Sequence, residues 1–296
     1  MNYHRIDVTP LPGALGAEVH GVDLDALDDE TFEEVHQAFL RHLVLFFREQ
    51  SLSIEAQKAF GQRFGPLYAH PYVKPLPGHP EVVEIIKQPE DRENFGGHWH
   101  ADLTYLPEPM FGAVLYALEV PPNGGGTLFA NMYEAYETLP ASLKERLKTL
   151  VAIHDDGTSG LYNQERIRSM GLRDVERDEN GRPVGTRFEH PALRTHPETG
   201  RTSLFVNHAS TVGFKDMPEE ESHALLEELR EHMVAPEHTC QFEWTPGAVT
   251  LWDNRCTQHR ALNDYHGHRR VMRRVLIAGS RPFYQEEQHH ADLSAR

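Results

Sequence analysis

Gly96-Gly97-His98-Trp99-His100-Ala101-Asp102 sets one imidazole and one carboxylate two positions apart. In an extended strand alternate side chains share a face, so the spacing predicts that His100 and Asp102 project together while the small Ala101 points away. One histidine and one acid on one face make two thirds of a 2-His-1-carboxylate set. That ligand set suits non-haem Fe(II) and leaves coordination positions open for oxygen chemistry. The two glycines just before it allow backbone conformations that other residues resist, so the chain can approach a bound group closely. His-x-Asp also arises by chance in a chain with 20 histidines. The rest of the sequence therefore has to supply the partners.

The 296 residues suffice for a sizeable core, and no second core is legible, so one domain over 1–296 is expected. No apolar run approaches the length that spans a bilayer, and Met1-Asn2-Tyr3-His4-Arg5 leads into strand-like sequence without a signal-peptide core. Only Cys240 and Cys256 are present, too few for a disulfide framework. A cytoplasmic protein without a membrane partner is expected. Cys256 stands three positions from His259, but a buried structural thiol is the simpler expectation than a nucleophile. A net charge of −16 argues against nucleic acid, which needs a positive footprint. A small anion is still compatible, given a few arginines gathered in a pocket.

Short strands are predicted at Ile6-Asp7-Val8 and Leu15 to Val19, broken by prolines and a glycine. Asp28 or Asp29 caps a helix to about His42, and Ser53 caps a second through Phe64. Leu43 to Phe47 reads as a buried strand, and Tyr68 to Pro80, which holds His70 and Tyr72, as an irregular loop. Strands follow at Glu81 to Lys87, Phe111 to Val120 and Thr127 to Ala130, then two helical stretches. The polar segment 155–187 is too long for an ordinary connection and is expected to be a lid or flexible insert. A hairpin spans Ala192 to Val206, and Pro218 with Glu219, Glu220 and Glu221 opens a helix to about Met233. The remainder reads as strand. The expected fold is mainly β with helices, a closed or sandwiched jelly-roll sheet with helices gathered early and in inserts.

His259, just beyond the strand that ends at Trp252, is the candidate third ligand. His154, His190, His196, His208, His223, His232 and His238 compete, and most lie in helix or turn context where a solvated side chain is expected. In Arg269 to Ile277 a strand period puts Arg270, Met272 and Arg274 on one face, with Val271, Arg273, Val275 and Ile277 on the other. Buried arginine is rare unless paired, and its planar fork matches a carboxylate bidentately. A dicarboxylate near an iron would be such a partner; a solvated edge strand with basic side chains is the plain alternative.

Together these stretches resemble the taurine dioxygenase and 2,4-dichlorophenoxyacetate dioxygenase family of Fe(II)- and 2-oxoglutarate-dependent oxygenases. The matching motifs are Leu15-Gly16-Ala17, Trp99 to Asp102, Gly124 to Leu128, Arg194 to Gly200, Trp252 to Arg255, Arg269-Arg270 and Pro282-Phe283. The resemblance implies a double-stranded β-helix and a homo-oligomer. It implies that His100, Asp102 and His259 hold the iron, that Arg270 pairs with the distal carboxylate of 2-oxoglutarate, and that the Thr127 hydroxyl contacts this cosubstrate. O2 is the second cosubstrate, and succinate and CO2 are released with a hydroxylated substrate. Halogenating relatives lack the carboxylate, so Asp102 implies hydroxylation. Sulfonate-binding members have a histidine and an arginine at the places of His70 and Arg274. With Tyr72 these imply a small anionic substrate, a sulfonate, sulfate ester or aryloxyalkanoate, whose hydroxylation leads to C–S or C–O cleavage. The chain departs from the taurine enzymes at Gly96 and Gly97, where they carry an asparagine, and at Gly126, often an aspartate. Another small metabolite as substrate, a zinc hydrolase, or an iron sensor without turnover are the alternatives.

Overall fold

Strand β14 (Val249–Asp253), in which every residue is buried, lies in the middle of the largest sheet. The structure, a computed structural model, describes residues 3–155 and 187–286. The predicted lid at 155–187 falls almost wholly outside the described residues. The remaining strands are β1 (Asp7–Pro10), β2 (Ala17–His20), β3 (Val44–Phe47), β4 (Leu67–Tyr68), β5 (Val82–Lys87), β6 (Gly112–Glu119), β7 (Thr127–Asn131), β8 (Val151–Asp155), β9 (Arg187–Pro191), β10 (Leu193–Thr195), β11 (Thr202–Leu204), β12 (Thr211–Phe214), β13 (Thr239–Phe242), β15 (Thr257–Ala261) and β16 (Arg270–Ile277). The helices are α1 (Asp29–His42), α2 (Ile54–Gln62), α3 (Met132–Glu137), α4 (Ala141–Leu147) and α5 (Glu219–Met233).

An eight-stranded sheet runs β1-β2-β3-β14-β6-β16-β4, with β5 also paired to β16. Its inner strands β3, β14 and β16 are buried at every residue, with both faces of the sheet covered there. On one face α1 and α2 pack through Val35, Phe39, Ala56 and Phe60 against Leu45, Val114, Val275 and Ile277. The Asp28 and Ser53 side chains cap these helices by accepting from Thr31 N and Ala56 N, so the predicted caps hold. The other face meets a three-stranded sheet, β13-β7-β15. Phe46 of β3 stacks on Phe242 of β13 with ring centroids 3.9 Å apart, and Phe129 of β7 lies 5.7 Å from Phe46. The two sheets thus close on a shared apolar core with Leu115, Trp252 and Met272. A third core joins α3, α4 and α5 to the β10-β11 hairpin and the β12-β8-β9 sheet. Among the described residues no helix is long and apolar enough to cross a membrane.

Three expectations are corrected. His100 and Asp102 do not share a strand: His100 forms a single antiparallel bridge with His259, and the chain then turns through Asp102 to Tyr105. Leu103 takes a left-handed backbone at φ 52°, which bends the chain immediately after the carboxylate. His259 lies within β15 rather than beyond a strand. Most of the competing histidines are not solvated either, since His154, His190, His196 and His238 are buried. His154 Nδ1 pairs with Thr104 Oγ1 at 3.0 Å and His190 Nε2 with the Leu106 carbonyl at 3.0 Å, so both support the turn after Asp102. Cys240 and Cys256 are buried free thiols, as expected.

Burial pushes the pKa of His190 down to about 4 and that of the adjoining His154 well below the usual imidazole range. Both are neutral in the folded protein near neutral pH, whereas the unfolded chain takes up protons near pH 6.5. The stability they contribute is complete above that pH and is lost as pH falls toward about 4. Urea midpoints should therefore fall between pH 6.5 and 4, and less steeply in His190→Gln; equal slopes for the two proteins would contradict this origin.

Candidate functional site

His100, Asp102 and His259 converge, each offering a ligand atom within 4.8 Å of the others. The bridge between β15 and the Trp99-His100-Ala101 stretch sets the distance, through His100 N to His259 O at 3.0 Å and His259 N to His100 O at 2.8 Å. His100 Nδ1 lies 2.7 Å from the His98 carbonyl, which can only accept, so the proton resides on Nδ1 and the Nε2 lone pair faces Asp102. The Nε2 to Oδ1 distance is 4.0 Å. Trp252 and Phe129 flank the His259 ring, with centroids 4.6 and 6.1 Å away.

Asp102 is held from two sides. Arg274 Nη1 donates to Oδ1 at 3.1 Å, and Asn254 Nδ2 donates to Oδ2 at 3.2 Å. Asn254 is itself fixed, because its Oδ1 accepts from Asp102 N at 3.2 Å and from Trp252 Nε1 at 3.1 Å. Burial alone would raise the Asp102 pKa, but the Arg274 charge and the Asn254 hydrogen bond hold it well below the usual carboxylate range. Burial, reinforced by His100, pushes His259 down to about 3, and burial also lowers His100. An ionised carboxylate and two neutral imidazoles are the protonation states that metal ligation requires. His259 Nδ1 is also buried without a hydrogen-bond partner. The donor set fits a divalent ion of the kind expected.

Beside these three residues opens a cavity walled by Ile85, Leu115, Thr127, Arg270 and Arg274. Arg270 and Arg274 are 5% and 3% exposed, yet Nε and Nη2 of both lack partners. Arg274 meets Asp102 through Nη1 alone and Arg270 has no carboxylate partner among the described residues, so an anion in this cavity would relieve two half-satisfied guanidinium groups. Thr127 Oγ1 accepts from Trp244 Nε1 at 2.9 Å, which leaves its hydroxyl proton to donate elsewhere. A dicarboxylate fits this set of donors.

His70 and Tyr72 are not part of this wall. His70 Nδ1 accepts from the backbone N–H groups of Tyr72 and Val73 at 3.1 and 3.0 Å, which puts the ring proton on Nε2. Tyr72 is buried and stacks on Tyr105 with centroids 6.1 Å apart. Gly96 does approach closely: at φ 75°, a Cβ there would meet His100 Cε1 at 3.4 Å. The nearby Asn94 amide is engaged elsewhere, donating to the carbonyls of Ala261 and Leu262. Sequence inspection passed over Asn254 and Trp244, which orient Asp102 and Thr127. Asn254 stands in the quoted Trp252 to Arg255 motif, but its target lies 152 positions away.

A second trio, His196, Asp253 and Cys256, is also close enough to hold an ion. Its carboxylate is already occupied: Asp253 accepts from Arg255 Nε and Nη2 at 2.8 and 2.7 Å and pairs with His196 Nε2 at 3.1 Å. Burial drives the Cys256 thiol well above its usual pKa. This trio is a structural network.

Residues 7–276 match the family described as "Taurine catabolism dioxygenase TauD, TfdA family". The chain is 36% identical over 281 residues to an alkylsulfatase of Acinetobacter baylyi, covering 93% of this chain and 86% of the relative. It is 34% identical over 284 residues to an alpha-ketoglutarate-dependent sulfate ester dioxygenase of Pseudomonas putida, covering 94% and 91%. It is 36% identical over 285 residues to an (S)-phenoxypropionate/alpha-ketoglutarate-dioxygenase of Sphingobium herbicidovorans, covering 92% and 95%. Among solved structures, a taurine dioxygenase from Burkholderia xenovorans superposes with a TM-score of 0.78 at 34% identity, covering 94% and 91%. AAD-2, solved with Mn(II) and N-oxalylglycine, superposes with a TM-score of 0.74 at 26% identity, covering 95% and 100%. This chain belongs to the TauD/TfdA family of 2-oxoglutarate-dependent dioxygenases.

Proposed function

We propose that the enzyme hydroxylates a small anionic organic substrate, a sulfate ester, sulfonate or aryloxyalkanoate, using Fe(II), 2-oxoglutarate and O2. The observation that carries this reading is the convergence of three metal-ligating side chains and two under-partnered arginines on one buried cavity. His100, Asp102 and His259 would hold the iron. Arg270 and the Thr127 hydroxyl would hold the distal carboxylate of 2-oxoglutarate. Arg274 and His70 would face the substrate anion, with Tyr72 behind them. Relatives named for sulfate esters and phenoxypropionate support an anionic substrate of this class.

Bound together, Fe(II) and 2-oxoglutarate supply the oxidising chemistry: O2 and 2-oxoglutarate give succinate and CO2, and one oxygen atom enters a substrate C–H bond. The protein's own contributions are orientation and electrostatics. Asn254 keeps one Asp102 oxygen engaged, and His98 O keeps the Nε2 lone pair of His100 inward. Trp244 aims the Thr127 hydroxyl, and the apolar Ile85, Leu115 and Trp252 wall limits bulk water. Where the hydroxylated carbon bears a sulfate or ether oxygen, the product collapses to a carbonyl compound and the C–O bond breaks.

The packing of the eight-stranded sheet on the three-stranded sheet supports a double-stranded β-helix, or jelly roll, within one domain. A cytoplasmic homo-oligomer without nucleic-acid or membrane partners completes the reading, in keeping with buried free cysteines and a net charge of −16.

Anaerobically purified enzyme loaded with Fe(II) and 2-oxoglutarate should form succinate faster with alkyl sulfates, sulfonates or aryloxyalkanoates than with no substrate. Failure of every anionic compound, with an uncharged analogue active, would overturn the substrate class. Asp102→Ala should reduce 2-oxoglutarate-dependent O2 uptake to background, whereas a zinc hydrolase or a sensor shows no such uptake in the unsubstituted protein. Asn254→Ala should weaken Fe(II) binding about 10- to 100-fold by freeing the carboxylate, as read by metal titration.

A further inference from the structure

We propose that Lys87 is a second cation for the cosubstrate, acting with Arg270 on the distal carboxylate. The inference rests on the assignment of the cavity to 2-oxoglutarate and extends it to a residue outside the family motifs quoted above. Lys87 ends β5 and is the register partner of Arg270 on β16. Residues directly opposite on antiparallel strands send their side chains to the same face, so Lys87 shares the face of the sheet from which Ile85 and Arg270 wall the cavity. It is only 4% exposed, and its Nζ is buried with no hydrogen-bond partner among the described residues.

Tyr265 connects the two cations. Lys87 Nζ lies 4.4 Å from the centroid of the Tyr265 ring, and burial raises the pKa of the Tyr265 phenol while the nearby Arg270 charge opposes the rise. The ring face partly compensates the ammonium, but a cation–π contact does not replace an anion. The neighbouring Asp264 carboxylate is turned to the Gly124-Gly125 turn, where its Oδ1 accepts from Gly125 N at 2.7 Å. Lys and Arg are almost never fully buried without a partner, and here two such side chains adjoin with neither Lys87 Nζ nor Arg270 Nε and Nη2 satisfied. One carboxylate resolves both deficits: its oxygens offer enough lone pairs for the Arg270 fork and a Lys point charge together. A 2-oxo acid lacking that group leaves the pair uncompensated, so Lys87 sharpens the preference for a dicarboxylate.

The test is calorimetric titration of Mn(II)-loaded protein with 2-oxoglutarate and with 2-oxopentanoate, which lacks the distal carboxylate. Lys87→Met should weaken 2-oxoglutarate binding about tenfold, near 1.4 kcal/mol, and leave 2-oxopentanoate binding unchanged. In turnover, KM for 2-oxoglutarate should rise with kcat held. Lys87→Arg should keep most of the affinity. Lys87→Gln, which keeps a polar end without the charge, carries the same expectation if the Met variant does not fold. Unchanged 2-oxoglutarate affinity in Lys87→Met, or equal loss for both acids, would overturn the proposal. Arg270→Gln separates the two levels: if it loses 2-oxoglutarate while Lys87→Met does not, only Lys87 is misassigned. If neither variant loses it, the cavity assignment itself fails.

Discussion

The buried Asp253 carboxylate governs the geometry of the whole site. It ends β14, the central strand of the large sheet, at the point where the chain turns to enter β15 of the small one. Arg255 and His196 engage both its oxygens, and Thr257 Oγ1 donates to the Asp253 backbone carbonyl at 2.7 Å, which ties the turn to the start of β15. From that turn Asn254 reaches the Asp102 carboxylate, and two residues into β15 stands His259. The His259 bridge to His100 then brings in the third candidate ligand. Removing one partner of a buried charged network typically costs about 3–5 kcal/mol. At this turn the loss would fall on fold and site together.

The cavity is electrostatically incomplete. Arg270 and Arg274 wall it, while the Asp102 carboxylate already answers to Arg274 and Asn254. A folded chain sustains such an excess because the large sheet and its helices bury enough apolar surface elsewhere to offset it. The same imbalance gives a dicarboxylate a strong reason to bind and an anionic substrate a reason to approach. Catalytic sites commonly hold local unfavourable terms that the surrounding fold compensates.

The chemistry-bearing residues were legible in the sequence because their types are restrictive. His100 with Asp102, and Arg270 with Arg274 on one strand face, each had a plain alternative alone, and the motifs around them singled them out. The strand period of Arg269 to Ile277 survives in the structure, where Arg274 faces Asp102 and Arg273 faces away to Gln57 and the Leu52 carbonyl. The supporting residues were not legible, since Asn254, Trp244 and Tyr265 act on partners far away in the chain. Local periodicity also misread the ligand stretch as a strand, because a turn through a left-handed Leu103 leaves no strong sequence signal. The buried histidines were missed for a related reason. His154 and His190 each bond through one ring nitrogen to the loop from Thr104 to Leu106, which a sequence cannot place against them.

The most direct measurement of the central claim is a crystal structure of this protein grown anaerobically with Mn(II) and N-oxalylglycine, the pair already seen bound to AAD-2. The metal should be bound by His100, Asp102 and His259, with the distal carboxylate of the analogue on Arg270 and the Thr127 hydroxyl. A metal ligated by another set of side chains, or an analogue whose distal carboxylate avoids Arg270, would contradict it.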